Sequence, residues 1–168
     1  MAHCNFLFLR GEKMERDVIT HVESNKSIIQ VKLMNVEKNS LFVAKIFEII
    51  SGEGVNIDMI SQVMLDEEMR IDFTCDEKDQ HLLNKALEKV KEKHPRIIIY
   101  SMKNVGKLMV EGLKMKNEIG VASKIFSILG NHQFPLLQVT TSDTSISYVL
   151  EKKDVDVAVE LIKKEFNL

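Results

Sequence analysis

Two pairs of polar segments in this sequence have the side chains needed to recognise a free amino acid. The segments Lys38–Ser40 and Met115–Gly120 each stand directly before a predicted helix, and a helix N-terminus can hold a carboxylate through its unpaired N–H groups and positive dipole end. Asp58 can pair with an ammonium group, and the run Thr140–Asp143 offers hydroxyl groups. Each residue taken singly is equally explained as a polar group at a strand edge or turn.

The sequence contains no familiar motif for catalysis or for metal binding. It has no GxxxxGK[ST] phosphate loop, HExxH, GxSxG or GxGxxG pattern. The acidic run at positions 66–68 offers too few oxygen ligands for a divalent cation, and Cys4 and Cys75 lack CxxC spacing. The histidines are scattered, at His3, His21, His81, His94 and His132. We therefore expect no catalytic residue, no metal and no cofactor.

Composition narrows the class of protein further. The chain has 168 residues, 45% of them apolar, which is enough to bury a core in one domain or two small ones. Its net charge of -2 gives no electrostatic footprint for nucleic acid, and no basic amphipathic helix points to a membrane surface. The apolar run Phe6–Leu9 is far shorter than the ~18 residues that a membrane-spanning helix needs. We expect a cytoplasmic protein.

An internal repeat organises the sequence. FVAKIFEIISGEGVNIDMISQV, at positions 42–63, is repeated as VASKIFSILGNHQFPLLQVTTS at positions 121–142. Each copy reads as a helix, a turn and a strand, and the second copy follows the first by 79 residues. A single repetition at a fixed spacing predicts two related units rather than a solenoid.

Hydrophobic periodicity assigns the same order of elements to both units. Alternating apolar residues indicate strands, and apolar residues at i, i+3, i+4 and i+7 indicate helices. Ser40 is the expected N-cap of the first helix. In the first unit we expect strands at 27–34, 55–63, 70–75 and 97–100 and helices at 41–53 and 78–93. In the second we expect strands at 107–112, 136–140 and 145–150 and helices at 121–131 and 154–166.

The first unit therefore follows the β-α-β-β-α-β, ferredoxin-like plan, an α+β fold with an antiparallel sheet and both helices on one face. The second unit lacks its fourth strand. The β-branched segment Asp17–Val22 is the natural candidate, because an open sheet edge is normally covered. We expect this N-terminal strand to cross over and complete the second sheet. The expected division is a leader at 1–16, the crossing strand at 17–26, a first domain at 27–103 and a second at 104–168.

The residues of the repeat resemble a known family. KIFEIISGEGVNIDMISQ is similar to the first ACT domain of the aspartokinase regulatory region, and DVITHVESNKSIIQVKL is similar to the segment that opens it. The second half, from GVASKIFSIL to the last helix, is similar to the second ACT domain. The resemblance implies tandem ACT domains that bind lysine or threonine at an interface within a homodimer. Effector binding would regulate an aspartokinase catalytic chain by feedback, in aspartate-family amino-acid biosynthesis.

The resemblance also implies which residues contact the effector. They lie in the loop before the first helix of each unit and in the second strand of each unit. The candidates are Lys38, Asn39, Ser40, Leu41, Asn56, Ile57, Asp58, Met59, Gln62, Met115, Glu118, Ile119, Gly120, Thr140, Thr141, Ser142 and Asp143. The kinase domain of the family, with its Lys-Phe-Gly-Gly signature, is absent from this sequence, so the chain would be the non-catalytic part of such a phosphotransferase.

Two other functions are weighed against amino-acid sensing. Ser40–Leu41 stands where the family usually has Pro-Gly, and Pro135 stands where it has an asparagine, which favours a degenerate ACT pair that serves as a dimerisation scaffold. Ferredoxin-like sheets also build RNA platforms from exposed aromatic residues. Phe73 and Tyr148 are the only aromatic residues in the central strands, and the net charge is unfavourable, so RNA binding is the weakest alternative.

Overall fold

The computed structural model describes residues 17–66 and 68–168, so the expected leader at 1–16 lies outside the described residues. The described chain contains eight strands and four α-helices. They are β1 (His21–Asn25), β2 (Ile28–Val36), α1 (Ser40–Gly52), β3 (Ile57–Met64), β4 (Met69–Asp76), α2 (Gln80–Lys93), β5 (Ile98–Met102), β6 (Val105–Glu111), α3 (Val121–Asn131), β7 (Gln138–Thr141), β8 (Ser145–Glu151) and α4 (Val155–Phe166). Short 3-10 turns occupy Glu77–Asp79 and Met115–Asn117.

The first sheet has the strand order β3-β4-β2-β5, and all its neighbouring strands are antiparallel. Alternate residues of the central strand β2, Ile29, Val31 and Leu33, are buried in a core that also includes Ile46 of α1 and Leu83 of α2. Period-two burial of this kind places one face of a strand against the helices. The ferredoxin-like architecture expected from the periodicity is confirmed.

The second sheet has the order β1-β6-β8-β7, so β1 takes the edge position that β5 takes in the first sheet. β1 runs antiparallel to β6, with Val22 opposite Val110. The prediction that an N-terminal strand crosses over to complete the second sheet is therefore confirmed. Both sheets are four-stranded, and the chain forms two ferredoxin-like units.

The expected bounds of the crossing strand, Asp17–Val22, are wrong. The strand begins at His21, and the chain before it bends inward so that Val18 and Ile19 are buried in the second core. This bend brings the Val18 carbonyl so close to Gly112 that a Cβ at that glycine would lie 1.8 Å from the oxygen. β-branched residues favour a strand, but Val18 and Ile19 fill the core from a bend. The other expected helix and strand limits lie within two residues of those in the structure.

The expected N-cap of α1 is also wrong by one residue. Asn39, not Ser40, has the extended backbone of an N-cap, and its Oδ1 accepts hydrogen bonds from the N–H groups of Leu41 and Phe42 at 2.9 and 3.3 Å. Asparagine and serine are both good N-caps, so residue type alone did not distinguish the two positions. Because Asn39 bonds the N–H groups of Leu41 and Phe42, these groups are not available to a ligand.

The two units meet through the sheet faces that carry no helices. Ile28 and Met59 of the first sheet form a small apolar cluster with Val105 and Val149 of the second. A buried bridge lies nearby: Gln30 Nε2 donates to Gln138 Oε1 at 3.0 Å, and Gln138 Nε2 donates to the Asp72 carbonyl at 3.2 Å. Buried polar groups are tolerable when they are bonded in this way.

Candidate functional site

A cavity of about 300 Å³ lies beside the loop that joins β2 to α1. A cavity of this size is at the lower end of the range that holds small ligands. Four of the predicted effector residues, Lys38, Asn39, Ser40 and Gln62, line it. The structure therefore brings the loop residues together with the polar side chain from the second half of β3. The remaining lining residues are apolar: Val43, Met64 and Met69.

Local hydrogen bonds fix the β2–α1 loop, which forms one side of this cavity. The Lys38 ammonium group donates to the carbonyl of Asp66, which ties the loop to the hairpin between β3 and β4. Asn39 caps α1 as described above, and the Leu41 side chain is 64% exposed. Because Asn39 already bonds two N–H groups of α1, the helix N-terminus is less open to a carboxylate than the sequence suggested.

A β-bulge explains why the first half of β3 does not line the cavity. The pairing of β3 with β4 shifts register between Ile57 and Ile60, and a bulge of this kind re-aims the side chains beside it. Ile57 packs against the first core, whereas Met59 is buried between the two sheets, where its N–H donates to Thr74 Oγ1 at 3.1 Å. Gln62, beyond the bulge, lies opposite Ile71 of β4.

Asp58 lies in the bulge and does not line the cavity, because its carboxylate forms an ion pair with the second unit. One of its carboxylate oxygens lies 2.6 Å from the ammonium nitrogen of Lys107 in the second unit, whose side chain is only 14% exposed. The predicted ammonium-binding carboxylate thus forms an ion pair between the units. Asn56, just before β3, is exposed.

The predicted residues of the second unit separate into different environments. Met115 is buried in the second core, whereas Ile119 is 96% exposed, and Glu118 is half-buried. Gly120 has a φ of +93° at the start of α3, a conformation that favours glycine. Unlike α1, α3 has no side-chain cap, so its first N–H groups lack the bonds that Asn39 makes in the first unit.

The polar run Thr140–Asp143 begins in β7 and ends in a turn. Ser142 Oγ accepts hydrogen bonds from the N–H groups of Thr144 and Ser145 at 3.3 and 3.0 Å. Asp143 and Thr141 are exposed, and Thr140 is half-buried opposite Ser147. The Ser142 hydroxyl therefore has a structural role in the turn, whereas the Thr141 side chain is exposed to solvent.

Burial raises the pKa values of a thiol and a carboxyl group in the first unit. Burial raises the pKa of the Cys75 thiol to about 11, with smaller contributions from Asp79 and Asp76. A thiol with this pKa is protonated at neutral pH and is a poor nucleophile. Burial also raises the pKa of Asp72, against the opposing effects of Arg70 and Lys32.

Within residues 17–66 and 68–168, no three histidine, cysteine or acidic side chains are grouped so as to hold a metal ion. Among the helices of the same residues, none is long and apolar enough to cross a membrane.

Sequence reasoning missed the apolar walls of the cavity. Val43 follows Ser40 by three residues, a spacing that puts both on one side of α1. The helical spacing alone could therefore have predicted that Val43 lines the same cavity as Ser40. Met64 and Met69 lie opposite each other at the β3–β4 hairpin. Their contribution depends on the hairpin register, which the sequence alone does not fix because it follows from the turn and the bulge.

The fold defines a class of protein: the chain carries two ferredoxin-like units, the architecture of tandem ACT domains, with a small cavity beside the loop that opens the first helix. Residues 108–166 match the family model described as "ACT domain". The regulatory subunit of aspartate kinase from Thermus thermophilus superposes with a TM-score of 0.79 at 19% identity, over 88% of this chain and 97% of that one. The aspartate kinase from Synechocystis superposes with a TM-score of 0.82 at 20% identity, over 91% of this chain and 27% of that one.

Sequence comparison also finds similarity to aspartate kinases. The aspartate kinase of Pseudomonas fluorescens (strain SBW25) is 27% identical over 159 residues, which make up 94% of this chain and 38% of that protein. The resemblance to the aspartokinase regulatory region is therefore confirmed. The aligned part of this chain spans little more than a third of the length of that relative.

Proposed function

We propose that this chain is an amino-acid-sensing regulatory module of an aspartokinase, with lysine or threonine as its effector. The observation that carries the proposal is the cavity in which Lys38, Asn39 and Ser40 meet Gln62. These side chains offer an ammonium group, two amides and a hydroxyl group, which together suit a carboxylate and its neighbouring polar atoms. The similarity to aspartokinase regulatory subunits supports the same function.

The composition of the cavity also supports a homodimer. Among the residues that the structure describes, 17–66 and 68–168, none that lines the cavity is acidic, and Asp58 is paired with Lys107, so we propose that a carboxylate from a second copy pairs with the ammonium group of the effector. β3 is an edge strand of its sheet, and its side chains Ile60 and Met64 are 51% and 58% exposed. An edge strand with exposed apolar side chains is a favourable place for a second copy to pair. We propose that a second copy covers this edge and completes the site.

Regulation requires a kinase domain, which we propose as the further partner of this chain. The aligned relatives are more than twice as long as the segment they share with it. An effector can shift the equilibrium between active and inactive states only by binding one of them more tightly. Feedback control of aspartate-family biosynthesis, the cytoplasmic location and the domain limits at residues 27–103 and 104–168 remain parts of this proposal.

The test is isothermal titration calorimetry of the purified chain with L-lysine and with L-threonine, accompanied by light scattering for its mass. Gln62→Leu removes the amide from the cavity, and Gln80→Leu is the matched control, because it removes the same amide at the start of α2, outside the cavity. We expect heat of binding with one of the two amino acids, a dimeric mass, loss of binding in Gln62→Leu and unchanged binding in Gln80→Leu. A well-folded dimer that gives no heat with either amino acid would refute the sensor and support the scaffold instead.

A further inference from the structure

A second cleft, of about 550 Å³, lies on the other side of the β2–α1 loop. Its lining residues come from the end of β2, the first turn of α1, the β3–β4 hairpin and the α2–β5 loop, and none of them lines the effector cavity. Phe42 and Pro95 provide apolar surface, whereas the adjoining Val36 and Ile97 are buried. The size is within the range of clefts that bind small molecules.

Internal hydrogen bonds hold the walls of this cleft. The Lys91 ammonium group donates to the carbonyls of Pro95 and Ile97 at 2.8 and 2.7 Å, which fixes the α2–β5 loop. Asn35 Nδ2 donates to the carbonyl of Arg96 at 3.4 Å and links the end of β2 to the same loop. A cleft that is formed before a ligand arrives loses less entropy on binding.

Free charges of both signs line the cleft on different elements. Lys93 and Arg96 belong to the end of α2 and the loop after it, whereas Glu37 follows β2 and Glu68 precedes β4. Within the part of the chain that the structure describes, these four side chains form no ion pair or hydrogen bond with the protein. Elsewhere in the first unit comparable charges are paired, as in the ion pair of Lys85 with Glu53.

We propose that this cleft binds a zwitterionic amino acid with an apolar side chain, at a site separate from the lysine or threonine site. The carboxylate of the ligand pairs with Arg96 and Lys93, and its ammonium group pairs with Glu37 and Glu68. Its side chain packs against Phe42, whose ring lies 4.5 Å from that of His94 between centroids. The guanidinium group of arginine suits this role because it can bind a carboxylate through two parallel hydrogen bonds.

The experiment is a titration of the full ¹⁵N-labelled chain, followed through its amide chemical shifts, with L-leucine as the probe. Two analogues separate the charges: 4-methylpentanoate lacks the ammonium group, and 3-methylbutylamine lacks the carboxylate. The proposal predicts amide shifts at residues 35–37, 42, 93, 94, 96 and 97 with leucine and clearly weaker binding of both analogues. Arg96→Gln should raise the Kd for leucine by about tenfold or more, and Glu37→Gln should also raise it. Lys103→Gln, which removes the same charge at an exposed position, should leave the Kd unchanged.

The proposal is overturned by any of three results. The first is the absence of shifts at these residues in about 10 mM leucine, a concentration that would nearly saturate a site with a Kd of ~1 mM. The second is equal binding of leucine and either analogue. The third is a matching loss of affinity in Arg96→Gln and Lys103→Gln. Because Gln62 does not line this cleft, Gln62→Leu should leave leucine binding intact, so failure here is distinct from failure of the lysine or threonine site.

Discussion

Replacing Ile19 by alanine tests how strongly the crossing segment holds the second unit. Ile19 is 1% exposed and packs in the second core with Leu108 and Ile162. The substitution removes three carbon atoms, each worth about 0.8 kcal/mol on transfer from water, and the cavity that remains adds to the loss. We expect the free energy of unfolding to fall by about 2–5 kcal/mol.

Hydrogen exchange shows where the stability is lost. Because β1 pairs with β6, amides of the second sheet and its helices, within residues 105–166, should exchange faster in Ile19→Ala, whereas amides of residues 28–102 should change much less. Thr20→Ala is the neighbouring control, because the Thr20 side chain is exposed and makes only a long hydrogen bond of 3.5 Å to the Glu111 carbonyl. Urea denaturation of both variants gives the free energies. Equal acceleration in both units, or faster exchange in the first unit alone, would refute the assignment of this segment to the second core.

Three further predictions concern local features of the structure. Gly112→Ala should lower the midpoint of thermal unfolding sharply, because its Cβ would lie 1.8 Å from the Val18 carbonyl oxygen, whereas Gly130→Ala meets no atom within 4 Å and should be neutral or stabilising. Asn39→Ala should cost about 0.5–2 kcal/mol in urea denaturation, and Asn39→Asp should retain most of the cap. Burial raises the pKa of Asp72 in the folded state, so the folded protein holds its proton to higher pH than the unfolded chain. Stability should therefore decrease as pH rises from the ordinary aspartate pKa through the raised one. Asp72→Asn should remove that slope in denaturation curves, and an unchanged slope would contradict the role of this carboxyl.

The internal repeat, the alternation of apolar residues in strands and their helical spacing in helices were sufficient to predict the fold. The alternation in β2 and the helical spacing in α1 are strong because each element has one face in a core. The missing strand of the second unit was found by a topological argument about sheet edges. Its limits were wrong because Val18 and Ile19 are as apolar and β-branched as strand residues but are buried from a bend.

The candidate site was less predictable. Proximity in sequence placed Lys38, Asn39 and Ser40 together, and the resemblance to the aspartokinase regulatory region implied Gln62. The bulge in β3 decided that Asp58 pairs with Lys107 instead of lining the cavity. A bulge changes which face a side chain occupies, and the alternation of residue types around it does not reveal the change.

The pairing of β1 with β6 also fixes the order in which the units can be completed during synthesis. Thr20 and Glu111, which are joined by hydrogen bonds, are 91 residues apart in sequence, and all elements of the first unit lie between them. The ribosome therefore releases β1 long before its partner strand exists, whereas the first unit can fold as soon as β5 has emerged. Pairing across so long a separation carries a loop-closure cost and is intrinsically slow. Once the first unit has folded, β2 and β5 pair in one sheet, which brings the start of β2 close to the end of β5. The chain segments that carry β1 and β6 are then near each other, so the loop-closure cost of pairing them is smaller.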